Sequence, residues 1–80
     1  MKQTLIFYTT AGCHLCELAR AIWQTHLDPE YCAVQEVDIA TDDTLIERYG
    51  TRIPVLRRQR DGRELNWPFT VDEVVDLSLD

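Results

Sequence analysis

Cys13-His14-Leu15-Cys16 places two thiols three positions apart, directly after the apolar run Leu5-Ile6-Phe7-Tyr8. Thiols at this spacing can cycle between dithiol and disulfide, supply half of a soft-metal site, or act as a passive staple. Thiolate, not thiol, is the nucleophile in disulfide exchange, and a helix N-terminus favours it through free N–H groups and a partial positive charge. The question is therefore what stands before and after the pair. A third cysteine, Cys32, lies far from both in the chain.

The elements around the pair can be read from periodicity. Thr4–Tyr8 is nearly all apolar and predicts a strand covered on both faces. Thr9–Gly12 is a loop. From His14 to His26 the pattern turns helical, with Leu15, Leu18, Ala19 and Ile22 as the apolar stripe, and Asp28-Pro29 ends it. Cys13 then falls at the N-cap and Cys16 one turn in, on the same side, with Cys13 the exposed attacker and Cys16 the resolving thiol. Cys32–Asp38 predicts a second strand. Thr41 is the expected cap of a second helix, with Asp42 and Asp43 in its first turn, Leu45, Ile46 and Tyr49 inward, and Gly50 as a left-handed terminator. Ile53, Val55 and Leu56 predict a third strand with Pro54 near its start, Asp61-Gly62 a hairpin turn, and Glu64–Trp67 a fourth strand. Thr70-Val71-Asp72-Glu73 is a capping box opening a last helix. The expected order is β-α-β-α-β-β-α: one α/β domain over residues 1–80, with a four-stranded mixed sheet flanked by helices and a right-handed first crossover. A Cys-x-x-Cys pair between a buried strand and a helix in a βαβ unit favours redox use. Small metal-carrier domains with such a loop usually run β-α-β-β-α-β, an order that differs from this one.

Composition narrows the partners. The 80 residues carry a formal net charge of −6, with 45% hydrophobic and 28% charged residues, as in ordinary globular domains. Acidic balance disfavours nucleic-acid and anionic-membrane binding. The N-terminus enters a strand directly, with no secretory or membrane-spanning pattern, so a cytoplasmic location is expected. Three cysteines do not make a secreted disulfide scaffold.

These residues resemble a known family. The strand, the Cys13–Cys16 pair at a helix start, the segment Tyr49-Gly50-Thr51-Arg52-Ile53-Pro54-Val55-Leu56 and the closing helix look like a short, divergent glutaredoxin-like protein of the thioredoxin superfamily. The resemblance covers nearly the whole chain. It implies thiol–disulfide oxidoreductase activity without a metal or organic cofactor. It also implies a cis Ile53–Pro54 bond facing Cys13, with the Ile53 backbone free to pair with an extended substrate. The substrate would be a disulfide-containing protein or small thiol, and the reductant glutathione or a thioredoxin reductase type of system. Arg52 is a substrate-contact candidate beside this loop. His14 is a candidate modulator, since a protonated imidazole favours a neighbouring thiolate.

The chain also departs from the family pattern. His14-Leu15 replaces a proline and an aromatic residue between the cysteines, and no lysine precedes the pair. Asn66-Trp67-Pro68-Phe69-Thr70-Val71-Asp72 replaces the Gly-Gly turn and aspartate that hold glutathione. Weak or absent glutathione dependence follows as an expectation. The alternatives are a thiolate carrier of metal or an iron–sulfur cluster, and an adaptor with an idle pair. Cys32 reads more simply as a small buried hydrophobe than as a third redox thiol. Arg57, Arg58, Arg60 and Arg63 read as a solvated hairpin. Trp67 and Phe69 are expected to give at least one core side chain, Trp23 is expected to be partly buried packing, and His26 has no assigned role.

Overall fold

The computed structural model describes residues 2–79. Its elements are β1 (Gln3–Thr9), α1 (His14–His26), β2 (Cys32–Asp38), a 3-10 turn (Ile39–Thr41), α2 (Asp43–Tyr49), β3 (Val55–Arg58), β4 (Glu64–Asn66) and α3 (Val71–Ser78). They form one sheet in the order β2-β1-β3-β4. β1 runs parallel to β2 and antiparallel to β3, and β3 and β4 form the antiparallel hairpin. The expected element order and mixed sheet are present.

β1 has neighbours on both edges and side chains on both faces, so its apolar run is used in full. Leu5 and Phe7 enter one core with Ala19, Trp23, Leu56, Leu65, Phe69, Val74 and Leu77, under α1 and α3. Tyr8 enters a second, smaller core with Ile39, Tyr49 and Val55, on the α2 side. Tyr8 and Tyr49 stack there with ring centroids 4.1 Å apart.

Helix α1 has the expected limits but a different inward face. Cys16, Ala19 and Trp23 are buried, whereas Leu15 and Leu18 are each 45% exposed. The largest apolar ring sets the rotation: Trp23 packs edge-on against Phe7 at 5.5 Å, and this turns Ala19 onto the sheet and the two leucines outward. On the exposed flank, Arg20 reaches across to Glu36 of β2 at 2.6 Å.

Two helix ends also differ from expectation. The cap of α2 is Asp42, whose carboxylate accepts from the N–H groups of Thr44 and Leu45, while the Thr41 hydroxyl donates back to Asp38. Gly50 stays right-handed at φ −54°. Glycine is needed there for room, because a Cβ would lie 2.5 Å from the Ile46 carbonyl oxygen. The capping box at Thr70 and Glu73 forms as expected. In α2, Tyr49 is buried and Leu45 half-buried, but Ile46 is 44% exposed.

The arginine-rich hairpin is not simply solvated. Arg58 is buried, pairs with Asp61 at 2.6 Å and approaches the Leu77 carbonyl at the end of α3 at 3.5 Å. Two hydrogen bonds from Arg58, and one from the Arg63 N–H, hold the Asp61 carboxyl well below the usual carboxylate range. On the other face Glu64 is a hub. It accepts from the Tyr49 hydroxyl at 2.5 Å and from Arg52 at 2.8 Å, and Arg57 lies 3.9 Å away. Arg63 reaches Asp76 at 3.5 Å.

These contacts have measurable consequences. Tyr49→Phe removes the hydroxyl that donates to Glu64 and accepts from Arg57, and should cost about 1 kcal/mol in urea unfolding. Burial pushes the Glu64 carboxyl up, but the bonds from Tyr49 and Arg52 and the charges of Arg52 and Arg48 outweigh it and leave its pKa lowered. A depressed folded-state pKa gives stability that is present above the unfolded value of about 4.3 and lost as pH falls through the folded value. Glu64→Gln should therefore flatten the acid limb of the stability–pH curve. On α1, Leu18→Gln should change stability by no more than about 0.5 kcal/mol. Ala19→Leu, at a site with no exposure, should cost about 1–3 kcal/mol in the same assay.

Candidate redox site

The site begins where β1 ends. Thr9 is the last strand residue, and the loop Thr10–Gly12 turns the chain into α1. Gly12 has φ +74° with nothing within 4 Å of where a Cβ would stand, so glycine is required there for its dihedral and not for space. Cys13 is the N-cap of α1. Its sulfur accepts the Cys16 N–H at 3.2 Å, one of the donors that a helix start leaves unpaired. The Cα atoms of Cys13 and Cys16 are 5.2 Å apart and their sulfurs lie at bonding distance. That Cα spacing falls within the range a disulfide spans.

The two sulfurs have unequal access. Cys13 is half-buried at the rim, while Cys16 is 1% exposed and packs in the core with Ala19 and Phe7. His14 and Leu15, between them, point outward. The His14 side chain is 79% exposed, with Nδ1 3.9 Å from a Glu17 carboxylate oxygen. Pro54 is buried and the Ile53–Pro54 peptide bond is cis. Continuing the register of β1 and β3 past Tyr8 and Val55 brings this proline beside the end of β1, from which the cysteine loop departs.

Comparison with known proteins adds the family. The model of the Glutaredoxin-like domain (DUF836) matches residues 4–77. The chain belongs to the glutaredoxin-like domain family. An X-ray structure of a structural genomics target protein from X. campestris is 38% identical over 85% of each chain, with a TM-score of 0.73. The solution NMR structure of a protein from Nitrosomonas europaea is 25% identical, covers 100% of this chain and 94% of that one, and gives a TM-score of 0.69. No curated protein matches. The architecture is the thioredoxin-like fold.

Within this glutaredoxin-like domain the remaining candidates sit as follows. The Ile53 N–H is not free: it donates to the Tyr49 carbonyl at 3.0 Å, as the Arg52 N–H does at 2.8 Å. The expectation of a free Ile53 backbone is corrected at its N–H, because the end of α2 takes up that donor. Arg52 turns its guanidinium to Glu64 and Asn66, at 2.8 and 2.9 Å, and lays it over the Tyr49 ring. In the stretch that departs from the family pattern, Phe69 is core, Trp67 packs edge-on against it at 5.2 Å, and Asp72 is exposed in the first turn of α3. The Trp67–Pro68 bond is also cis. Cys32 is buried at the start of β2, and burial pushes its thiol pKa up against the weaker pull of Lys2. Among the described residues, no three His, Cys, Asp or Glu side chains are grouped to hold a metal ion, and no helix is long and apolar enough to cross a membrane.

The access difference predicts a labelling order. With the protein reduced and iodoacetamide limiting, Cys13 should be alkylated at least roughly tenfold faster than Cys16 or Cys32, as read by peptide mass mapping. Equal rates at Cys13 and Cys16 would contradict the geometry described.

Proposed function

We propose that this protein is a thiol–disulfide oxidoreductase in which Cys13 attacks and Cys16 resolves. The observation that carries the reading is the asymmetry of the pair. Cys13 sits at the rim on a helix N-cap and accepts an N–H, whereas Cys16 is buried one turn further, within bridging distance. The Cys13 thiolate attacks one sulfur of a substrate disulfide. The substrate S–S bond breaks, its far sulfur leaves as a thiolate and takes a proton, and a mixed disulfide remains on Cys13. Cys16 then loses its proton and attacks the Cys13 sulfur. The second substrate thiol is released and the Cys13–Cys16 bond forms, so two electrons have passed to the substrate. A thiol reductant, from glutathione or a thioredoxin reductase type of system, restores the dithiol.

The substrate in this reading is a disulfide-bearing protein or small thiol in the cytoplasm, and no metal or organic cofactor takes part. An extended substrate segment would lie along the Ile53–Pro54 turn and pair with the Ile53 carbonyl. Arg52 would reach it only from its present bonds to Glu64 and Asn66. A protonated His14 would favour the Cys13 thiolate through space. Asn66–Asp72 has no flexible glycine turn for glutathione and contains a buried Phe69 and a half-buried Trp67, which supports a preference for larger substrates.

The test compares reduction of a glutathione mixed disulfide with reduction of a protein disulfide such as insulin. The protein disulfide should be the better substrate. Cys13→Ser should abolish turnover, and Cys16→Ser should accumulate a mixed disulfide on Cys13 visible by mass spectrometry. Turnover that survives loss of Cys13 would overturn the proposal. So would a pair that neither glutathione nor a thioredoxin system can cycle, which is the behaviour of an adaptor.

A further inference from the structure

Thr9 closes β1 with a hydroxyl that the fold leaves unpaired. The residue is 7% exposed, and its Oγ1 has no hydrogen-bond partner among the described residues. Only one other buried side-chain nitrogen or oxygen among them lacks a partner, the Trp23 indole Nε1. A threonine hydroxyl can donate once and accept twice. Buried and unpaired, it costs free energy that a methyl group in its place would not. Such a group in a native core needs an explanation, and a partner that exists only in another state of the protein supplies one.

Strand alternation indicates which partner. Leu5 and Phe7 point from β1 into the core under α1 and α3. Thr9 follows them at the two-residue period on the same face, with the strand still paired to Asp38 there. Helix α1 begins just beyond the end of β1 and runs back over this face, where Trp23 packs against Phe7. From that contact, the seven residues back along the helix to Cys16 span about 10 Å, and the two residues forward along the strand to Thr9 about 7 Å, toward the same end of the fold. Cys16 is 1% exposed in the same core, whose other side chains are apolar. In the disulfide its sulfur has neither proton nor charge. Reduction gives that sulfur a thiol proton or a thiolate charge, and so creates a buried group that needs a hydrogen bond.

We propose that the Thr9 hydroxyl is the hydrogen-bond partner of the reduced Cys16 sulfur, accepting from its thiol and donating to the thiolate that resolves the mixed disulfide. This rests on the thiol–disulfide reading above and assigns Thr9 to its second step. In that step the Cys16 thiol gives up its proton and its sulfur attacks the Cys13 sulfur. The bond between Cys13 and the substrate sulfur breaks, and the departing substrate thiolate takes up a proton, so no further oxidant is consumed. Thr9 keeps its own proton and turns from acceptor to donor. Bonds to an ionised acceptor are the stronger kind, so the hydroxyl contributes most when the thiolate forms. Because its partner exists only in the dithiol, Thr9 also stabilises that form over the disulfide and raises the reduction potential of the pair.

The test uses Thr9→Val, which exchanges the hydroxyl for a methyl group, and Thr9→Ser, which keeps it. The Cys13–Cys16 pair of each full chain is equilibrated in dithiothreitol redox buffers, and urea unfolding is followed separately on the oxidised and the reduced protein. Thr9→Val should shift the equilibrium roughly tenfold toward the disulfide, a potential lower by about 30 mV. Thr9→Ser should stay close to wild type. Thr9→Val should leave the oxidised chain at least as stable as wild type and destabilise the reduced chain, whereas a hydroxyl with a purely structural role would move both forms alike. Each comparison is between two redox forms of one chain, so a general loss of stability cancels. Equal changes in both forms, or a Thr9→Ser chain that behaves like Thr9→Val, overturn the proposal. Insulin turnover by the wild type separates this result from the oxidoreductase reading. Turnover with no shift in Thr9→Val sinks the role of Thr9 alone, while a shift without turnover supports the Thr9–Cys16 bond and counts against the enzyme.

Discussion

The position of β1, hydrogen-bonded to β2 on one edge and to β3 on the other, constrains nearly everything else in this protein. A strand paired on both edges has no freedom of register, and a slip of one residue would exchange its two faces. With the register set, Leu5 and Phe7 must lie under α1 and α3, and Tyr8 must lie under α2. The end of the strand is then set as well. Thr9 delivers the chain to the cysteine loop beside the turn that carries Pro54, although some forty residues separate the two in sequence.

The same constraint makes the thiols unequal. Trp23 against Phe7 fixes the rotation of α1, and that rotation buries Cys16 with Ala19 while Cys13 stays at the rim. A pair of identical residues therefore acquires two environments from one packing contact. The helix start contributes the N–H that Cys13 accepts. The surface consequence is that Leu15 and Leu18, which a periodicity argument would bury, stand half-exposed beside the pair.

The charged residues are used mainly to tie elements together. Arg58 is held between Asp61 and the end of α3, and Glu64 gathers Tyr49 and Arg52 at the face opposite α1. Arginine suits such sites because its planar fork donates in several directions and its face stacks on aromatic rings. A sequence reading sees these side chains as a basic hairpin in solvent. Arg58 finds Asp61 within the hairpin turn, but its further contact comes from α3, and the donors on Glu64 come from α2 and the loop after it, so the pattern of charges along the hairpin itself holds only part of the information. Glu64 as a hub, the unpartnered Trp23 indole and the second cis proline bond left no local signal for the same reason.

The element order, the limits of α1 and β2, the capping box at Thr70 and the Cys13–Cys16 pair at a helix start were all determined by the sequence alone. Each rests on interactions within a few residues: a 3.6-residue or two-residue period, a side chain capping its own helix, two thiols one turn apart. Tertiary structure alone decided which face of α1 turns inward, because that depends on volumes brought together from distant parts of the chain. That Asp42 and not Thr41 caps α2, that Gly50 serves for room and not for a left-handed turn, and that the Ile53 N–H is spent on Tyr49 are contacts within four residues, and the folded backbone chose among groups the local pattern had already placed there. A local pattern can name the groups involved, but which of them meet is settled only when Trp23 seats on Phe7 and the chain closes around β1.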